Sequence, residues 1–184
     1  MSAPKDYLAG LEILAVDDEN DILETIEDLL DTASIDCARD YETAHTKIAN
    51  QSYDLAILDI MGVNGLQLLD EAVAKGIPTV MLTAHAINPE TLMASIRKGA
   101  IAYLPKETLA ELDEFLNDLL AAQAAGTPPW KLLFDKLGDF FDDRFGPDWR
   151  AQDEGFWTEF SRTWAVSRGI RERLEHDPRL AGKF

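Results

Sequence analysis

The chain has a single cysteine, Cys37, among 184 residues. It can form no internal disulfide, and nothing in it calls for an oxidising compartment. No apolar run approaches the roughly 20 residues that cross a bilayer. Residues 1–10 lack the basic stretch followed by an apolar one that marks an export signal. A cytoplasmic location without membrane attachment is therefore the expectation. Basic residues are also scarce: 17 Lys and Arg stand against 34 Asp and Glu, a formal net charge of −17. Nucleic-acid affinity depends on cations that neutralise phosphates, so general nucleic-acid binding is not expected. The three histidines, His45, His85 and His176, are scattered without metal-ligand spacing, which argues against a zinc site.

What remains is a globular composition, 46% hydrophobic and 28% charged, with room for one ordinary domain and a smaller appendage. Two segments of different character share it. Residues 1–127 hold 23 acidic and 7 basic residues, whereas residues 128–184 hold 11 and 10. All four Trp and seven of the eight Phe lie in the second segment. The division falls at Thr127-Pro128-Pro129, because consecutive prolines cannot continue a helix interior. The expected organisation is a domain over 1–127 and a helical extension over 128–184.

In the first segment, short apolar runs at 11–16, 35–39, 55–58, 79–82 and 101–104 read as strands. Between and after them, stretches at 21–32, 41–50, 65–75, 89–99 and about 109–126 carry apolar residues at helical spacing, with Pro89 suited to a first helical position. Five strand–helix repeats imply an α/β, doubly wound, mostly parallel sheet with helices on both faces. In the second segment a helix over residues 130–145 carries Trp130, Leu133, Phe134, Leu137, Phe140, Phe141 and Phe145 on one stripe. A turn at Gly146-Pro147-Asp148 precedes a second helix over about 153–174, whose apolar members are Phe156, Trp157, Phe160, Trp164 and Ile170.

Four motifs fall at C-terminal strand ends, where open parallel sheets bind ligands. Asp17-Asp18 follows the first strand, Asp59 the third, Thr83 ends the fourth and Lys106 follows the fifth. Singly, each is a common solvated loop feature. Together they carry a chemistry: carboxylates gathered at one point repel unless a cation joins them. Oxygen donors are the ligands Mg²⁺ prefers, and a lysine with a hydroxyl beside them suits a phosphoryl group.

On Leu14-Ala15-Val16-Asp17-Asp18, Leu55-Ala56-Ile57-Leu58-Asp59, Met81-Leu82-Thr83-Ala84 and Tyr103-Leu104-Pro105-Lys106, residues 11–125 resemble the CheY-like receiver domains of two-component response regulators. The resemblance implies a flavodoxin-like, five-stranded sheet of order 2-1-3-4-5. It implies Asp59 as phosphoacceptor, with Mg²⁺ as cofactor held by Asp17, Asp18, Asp59 and the main-chain carbonyl of Met61. Lys106 would pair with the acceptor and then the phosphoryl oxygens. Thr83 would hydrogen-bond the phosphoryl group, and Tyr103 would be the aromatic that swings inward. The implied partners are a sensor histidine kinase or phosphotransfer protein and a downstream protein, and the implied chemistry is self-catalysed phosphotransfer and autodephosphorylation rather than turnover of a separate substrate. Two departures stand out. The family often has proline directly after the lysine, whereas here Pro105 precedes it and Glu107 follows. It also commonly has Met-Pro after the acceptor and a glycine eight residues beyond it, whereas Met61-Gly62-Val63-Asn64-Gly65 places that glycine six beyond. Altered loop geometry and an altered lifetime of the phosphorylated form are expected.

The extension leaves alternatives open. A DNA-binding output is disfavoured by near-neutral charge and the lack of a basic recognition helix, although Arg162, Arg168, Arg171, Arg173 and Arg179 make its end locally basic. Two aromatic helices cannot bury themselves alone, so they are expected to pack on the receiver, on a second copy in a homodimer, or on another protein. A purely structural cap is the competing reading, as is a receiver-like scaffold without phosphorylation.

Overall fold

The structure is a computed structural model describing residues 3–85 and 87–163. Strands β1 (Glu12–Val16), β2 (Ser34–Ala38), β3 (Leu55–Asp59), β4 (Thr79–Thr83) and β5 (Ala102–Pro105) form one parallel sheet in the order β2-β1-β3-β4-β5. Every residue of β3 and β4 is buried, as required of central strands covered on both faces. Helices α1 (Asn20–Leu29), α2 (Tyr41–Asn50), α3 (Gly65–Ala74), α4 (Pro89–Lys98) and α5 (Leu112–Ala124) connect and follow the strands.

Local chemistry sets several boundaries. Asp40 caps α2 by accepting from the Thr43 N–H at 2.8 Å. Asn88 caps α4 in the same way, accepting from the Thr91 N–H at 2.8 Å, with Pro89 in the first turn. Gly99 ends α4 at φ 99°. Helix α1 stops at Leu29 instead of continuing to residue 32, because the Thr32 carbonyl accepts from the Gly10 N–H and Ser34 donates to the Leu11 carbonyl. Those bonds turn the chain into β2. The last helix before the double proline is also shorter at its start than its apolar spacing suggests: Lys106–Glu111 form a 3₁₀ helix, and α5 begins at Leu112. The Thr108 hydroxyl donates to the Pro105 carbonyl at 2.7 Å within that turn.

Helix α6 (Pro129–Phe145) follows, then a 3₁₀ turn Trp149–Asp153 and α7 (Glu154–Thr163). The expected second helix thus starts one residue late, because Asp153 closes the 3₁₀ segment that precedes it; Trp164, Ile170 and the remainder of its stripe lie outside the described residues. Trp130, Leu133, Phe141, Phe156 and Phe160 are fully buried, each stabilising the packed state by about 1.5–3 kcal/mol. Trp130 and Phe141 reach β5 and its lead-in, Phe160 packs on Trp130, and Phe156 stacks on Phe160. The Trp130 indole N–H donates to the Ala100 carbonyl at 2.9 Å, and the Phe141 ring lies 6.0 Å from that of Tyr103. Arg97 of α4 pairs with Asp153 at 3.2 Å and covers the Phe156 ring, while Lys136 of α6 pairs with Asp118 of α5 at 2.7 Å. Among the described residues the aromatic stripe is therefore covered within the chain itself, by β5, α4 and the rings of α7, and Met61 is the one large exposed apolar residue.

Candidate functional site

Parallel strands with helical crossovers bring their C-terminal ends to one edge, and the order β2-β1-β3-β4-β5 makes β1, β3, β4 and β5 consecutive neighbours there. Asp17 follows β1, Asp59 ends β3, Thr83 ends β4 and Lys106 follows β5. Asp17, Asp59 and Thr83 are all buried. The Lys106 ammonium sits among three carboxylates: 2.8 Å from Asp17 Oδ2, 3.0 Å from Glu19 Oε1 and 3.2 Å from Asp59 Oδ2.

One cation among several acids leaves the cluster short of positive charge. Burial, followed by the nearby Asp17 charge, pushes the Asp59 carboxyl up to about 6, with Lys106 only partly offsetting them. Asp17 is also raised, chiefly by burial, against the hydrogen bond from Lys106. For Lys106, burial favours the neutral amine, but hydrogen bonds to Asp17 and Glu19 and the Asp59 charge outweigh it and hold the ammonium above its ordinary value.

The residues fit a hard cation. Carboxylate oxygens of Asp17, Asp18 and Glu19 lie within 4.8 Å of one another, and no other such group of potential metal ligands occurs among the described residues. The backbone at Gly62 leaves room for this group: φ is +83°, and a Cβ would lie 2.5 Å from Asp18 Oδ2. Glu19 is the residue that sequence reasoning missed. It stands beside Asp17-Asp18 in the sequence, where an acid before a helix reads as solvated. Its backbone N–H donates to Asp17 Oδ1 at 2.9 Å while its side chain reaches Lys106. The sequence reading grouped Asp59 and the Met61 carbonyl with the acidic pair. Here Asp59 joins the group through the shared Lys106, and the Met61 side chain is 54% exposed at the rim.

The short β3–α3 connection has a definite geometry. Asn64 adopts φ 55°, the one non-glycine residue with positive φ among those described, and its side-chain amide donates to Gln67 Oε1 at 2.8 Å. Gly65 then starts α3 so close to β3 that a Cβ would lie 1.8 Å from the Asp59 carbonyl oxygen. The two residues missing relative to the family pattern are thus accommodated by glycines pressed against the site. The Pro105-Lys106-Glu107 order likewise still delivers Lys106 to Asp59, through the 3₁₀ turn.

Tyr103 is fully buried, and its hydroxyl lies 2.9 Å from the Thr91 hydroxyl. His85 is exposed in the loop after β4. His45 stacks on Tyr41 and pairs with Glu71 at 2.7 Å, away from the carboxylate group. His176 lies outside the described residues.

The family profile of the response regulator receiver domain matches residues 13–117. Regulatory protein VanRB of Enterococcus faecalis is 40% identical over 80 residues, covering 41% of this chain and 36% of that protein. The chain therefore spans about a third of the length of the curated relative it matches. A CheY-like receiver domain from Methanospirillum hungatei JF-1 superposes with a TM-score of 0.57 at 27% identity, covering 64% of this chain and 99% of that one. The signal receiver domain of an HD domain-containing protein from Pseudomonas fluorescens Pf-5 gives a TM-score of 0.56 at 26% identity, covering 63% and 98%. With its β2-β1-β3-β4-β5 parallel sheet and these matches, the chain belongs to the response regulator receiver domain family.

Proposed function

We propose that the chain is a phosphorylation-dependent switch of a two-component phosphorelay, with a receiver unit over residues 1–127 and a helical extension over 128–184. The observation that carries the reading is the buried Asp59 carboxylate held 3.2 Å from Lys106, beside the acidic group of Asp17, Asp18 and Glu19. In this reading an Asp59 oxygen attacks the phosphorus of a donor. A P–O bond to Asp59 forms, the bond from phosphorus to the donor breaks, and the leaving group keeps the electron pair. Lys106 pairs first with the carboxylate and then with the phosphoryl oxygens. Thr83, at the end of the neighbouring strand, donates its hydroxyl to the same group. Asp17 and Asp18 would hold Mg²⁺, with Asp59 and the Met61 carbonyl completing the protein's ligands and Glu19 available beside them. The ion's part is to offset charge among the carboxylates and the phosphoryl oxygens.

The donor would be a sensor histidine kinase or a phosphotransfer protein, in the cytoplasm, and the output a contact with a downstream protein through the receiver and extension. Such a chain transfers a phosphoryl group to itself and loses it to water, without a separate substrate turned over. A second reading of α6–α7, as a cap that stays on the receiver, is favoured by the burial of Trp130, Phe141 and Phe160 within this chain. It leaves those rings unavailable for a homodimer while they are docked.

The test is incubation with acetyl phosphate and Mg²⁺ followed by intact mass. The wild type should gain one labile phosphoryl group, and Asp59→Asn none. A wild type that gains no adduct, or an Asp59→Asn variant that gains the same one, would overturn the assignment.

A further inference from the structure

Helix α6 touches the loop that carries Lys106 on both sides of that residue. Phe141 and Arg144 are three apart on α6, and so share one helix face. The Phe141 ring packs on Tyr103, three residues before Lys106, with centroids 6.0 Å apart and planes tilted by 57°. Arg144 pairs with Glu107, the residue directly after Lys106. Phe141 is itself immobilised, stacked on Phe145 at 5.6 Å and edge-on to Phe134 at 5.9 Å.

Tyr103 extends the contact to the start of α4. Its hydroxyl lies 2.9 Å from the Thr91 hydroxyl, and the Asn88 backbone also bonds to it. Asn88 caps α4. A docked α6 therefore braces the support of Lys106 and, through Tyr103, the start of α4. It does so in an arrangement that already puts Lys106 3.2 Å from Asp59. Groups ordered before a ligand arrives need not be ordered by it, so their bracing raises affinity. The Arg144–Glu107 pair is exposed on both sides and adds little by itself. The fully buried Phe141–Tyr103 contact is the main coupling element.

We propose that docking of α6 and occupancy of the Asp59 site by a phosphoryl group reinforce one another, with Phe141 as the positioning residue that holds Tyr103 inward. The inference rests on the phosphoacceptor reading above and deepens it. The extension acts as a built-in positive effector instead of a segment that phosphorylation releases. Coupling between two sites is reciprocal, so two measurements of opposite direction must agree.

The first is calorimetric titration of the full chain with beryllofluoride in the presence of Mg²⁺, for wild type, Phe141→Leu and Trp149→Phe. Phe141→Leu keeps apolar volume but removes the ring from Tyr103, and affinity should fall about fivefold or more. Trp149→Phe removes an indole donor to Asp142 within the extension. It should lower stability while leaving affinity within about twofold of wild type, because a phenyl ring keeps the contact with Phe145 and Trp149 reaches Tyr103 indirectly, through Phe145 and Phe141. The second is hydrogen exchange of α6 amides, which should slow when beryllofluoride and Mg²⁺ bind the wild type. Equal affinity in wild type and Phe141→Leu, an equal loss in Trp149→Phe, or faster α6 exchange on binding each overturns the inference while leaving the phosphoacceptor reading intact. A wild type that neither binds beryllofluoride nor accepts phosphate from acetyl phosphate removes both.

Discussion

Replacing Asp59 by Asn should make the Mg²⁺-free protein more stable near neutral pH, although it deletes a residue of an ion pair. The carboxyl is buried, and Asp17 and Asp18 add repulsion that Lys106 does not fully offset, so its pKa rises from 3.8 to about 6. A raised carboxyl disfavours the charged form in the folded state. The resulting penalty is absent below the unfolded value near 3.8, grows as pH rises and is complete above about 6. A rise of that size corresponds to about 3 kcal/mol. Water at the mouth of the site and the lost attraction to Lys106 reduce the net gain from Asn to about 1–2 kcal/mol. For a chain of this length that is a melting-temperature increase of about 3–6 °C. The assay is thermal unfolding followed by tryptophan fluorescence, with chelator, at about pH 7.5 and about pH 4.5. The variant should be more stable at the higher pH, and its advantage should shrink toward the lower one, because Asn does not titrate. Saturating Mg²⁺ should narrow or reverse the difference, since a ligand at about a hundred times its Kd stabilises by about 2.7 kcal/mol. An Asn variant less stable than wild type at the higher pH without Mg²⁺ would refute the reasoning, because Lys106 would then more than compensate the buried charge.

Gly62→Ala forces a side chain into positive φ and against Asp18. It should cost about 1–2 kcal/mol in denaturant unfolding and weaken Mg²⁺ binding about tenfold or more by calorimetry; unchanged Mg²⁺ affinity would show that Asp18 is not a ligand. Trp130→Phe keeps the ring but leaves the Ala100 carbonyl without its indole donor, and should lower stability by about 1–2 kcal/mol in urea titrations. A loss below a few tenths would mean that water replaces the bond and that this end of α6 is loosely docked.

Much of the receiver is legible because its signals are local. Buried parallel strands read as short apolar runs, and Asp40, Asn88, Pro89 and Gly99 mark helix ends by capping chemistry that acts within a few residues. The motif residues Asp17, Asp59, Thr83 and Lys106 sit at strand ends, so the topology alone brings them to one edge. The boundaries that moved were those set by distant partners. The end of α1 answers to residues 10 and 11 on the neighbouring strand lead-in, and the Lys106–Glu111 turn answers to where the lysine must go.

Residue types and their periodicity by themselves determined an acidic α/β domain with carboxylates, a threonine and a lysine at its strand ends, followed by an aromatic helical extension; the resemblance of those motifs added the receiver family. Those properties follow from alternation, caps and strand-end motifs, all short-range. Only the tertiary structure decided that Glu19 shares Lys106, because an acid beside a helix start gives no sign of which cation it reaches across 87 residues. It also decided where the aromatic stripe is buried. An apolar face specifies that something must cover it, not which surface does. Here β5 and its lead-in take Phe141 and Trp130 while the other rings pack on these, which places Phe141 on Tyr103, three residues before the lysine that pairs with Asp59.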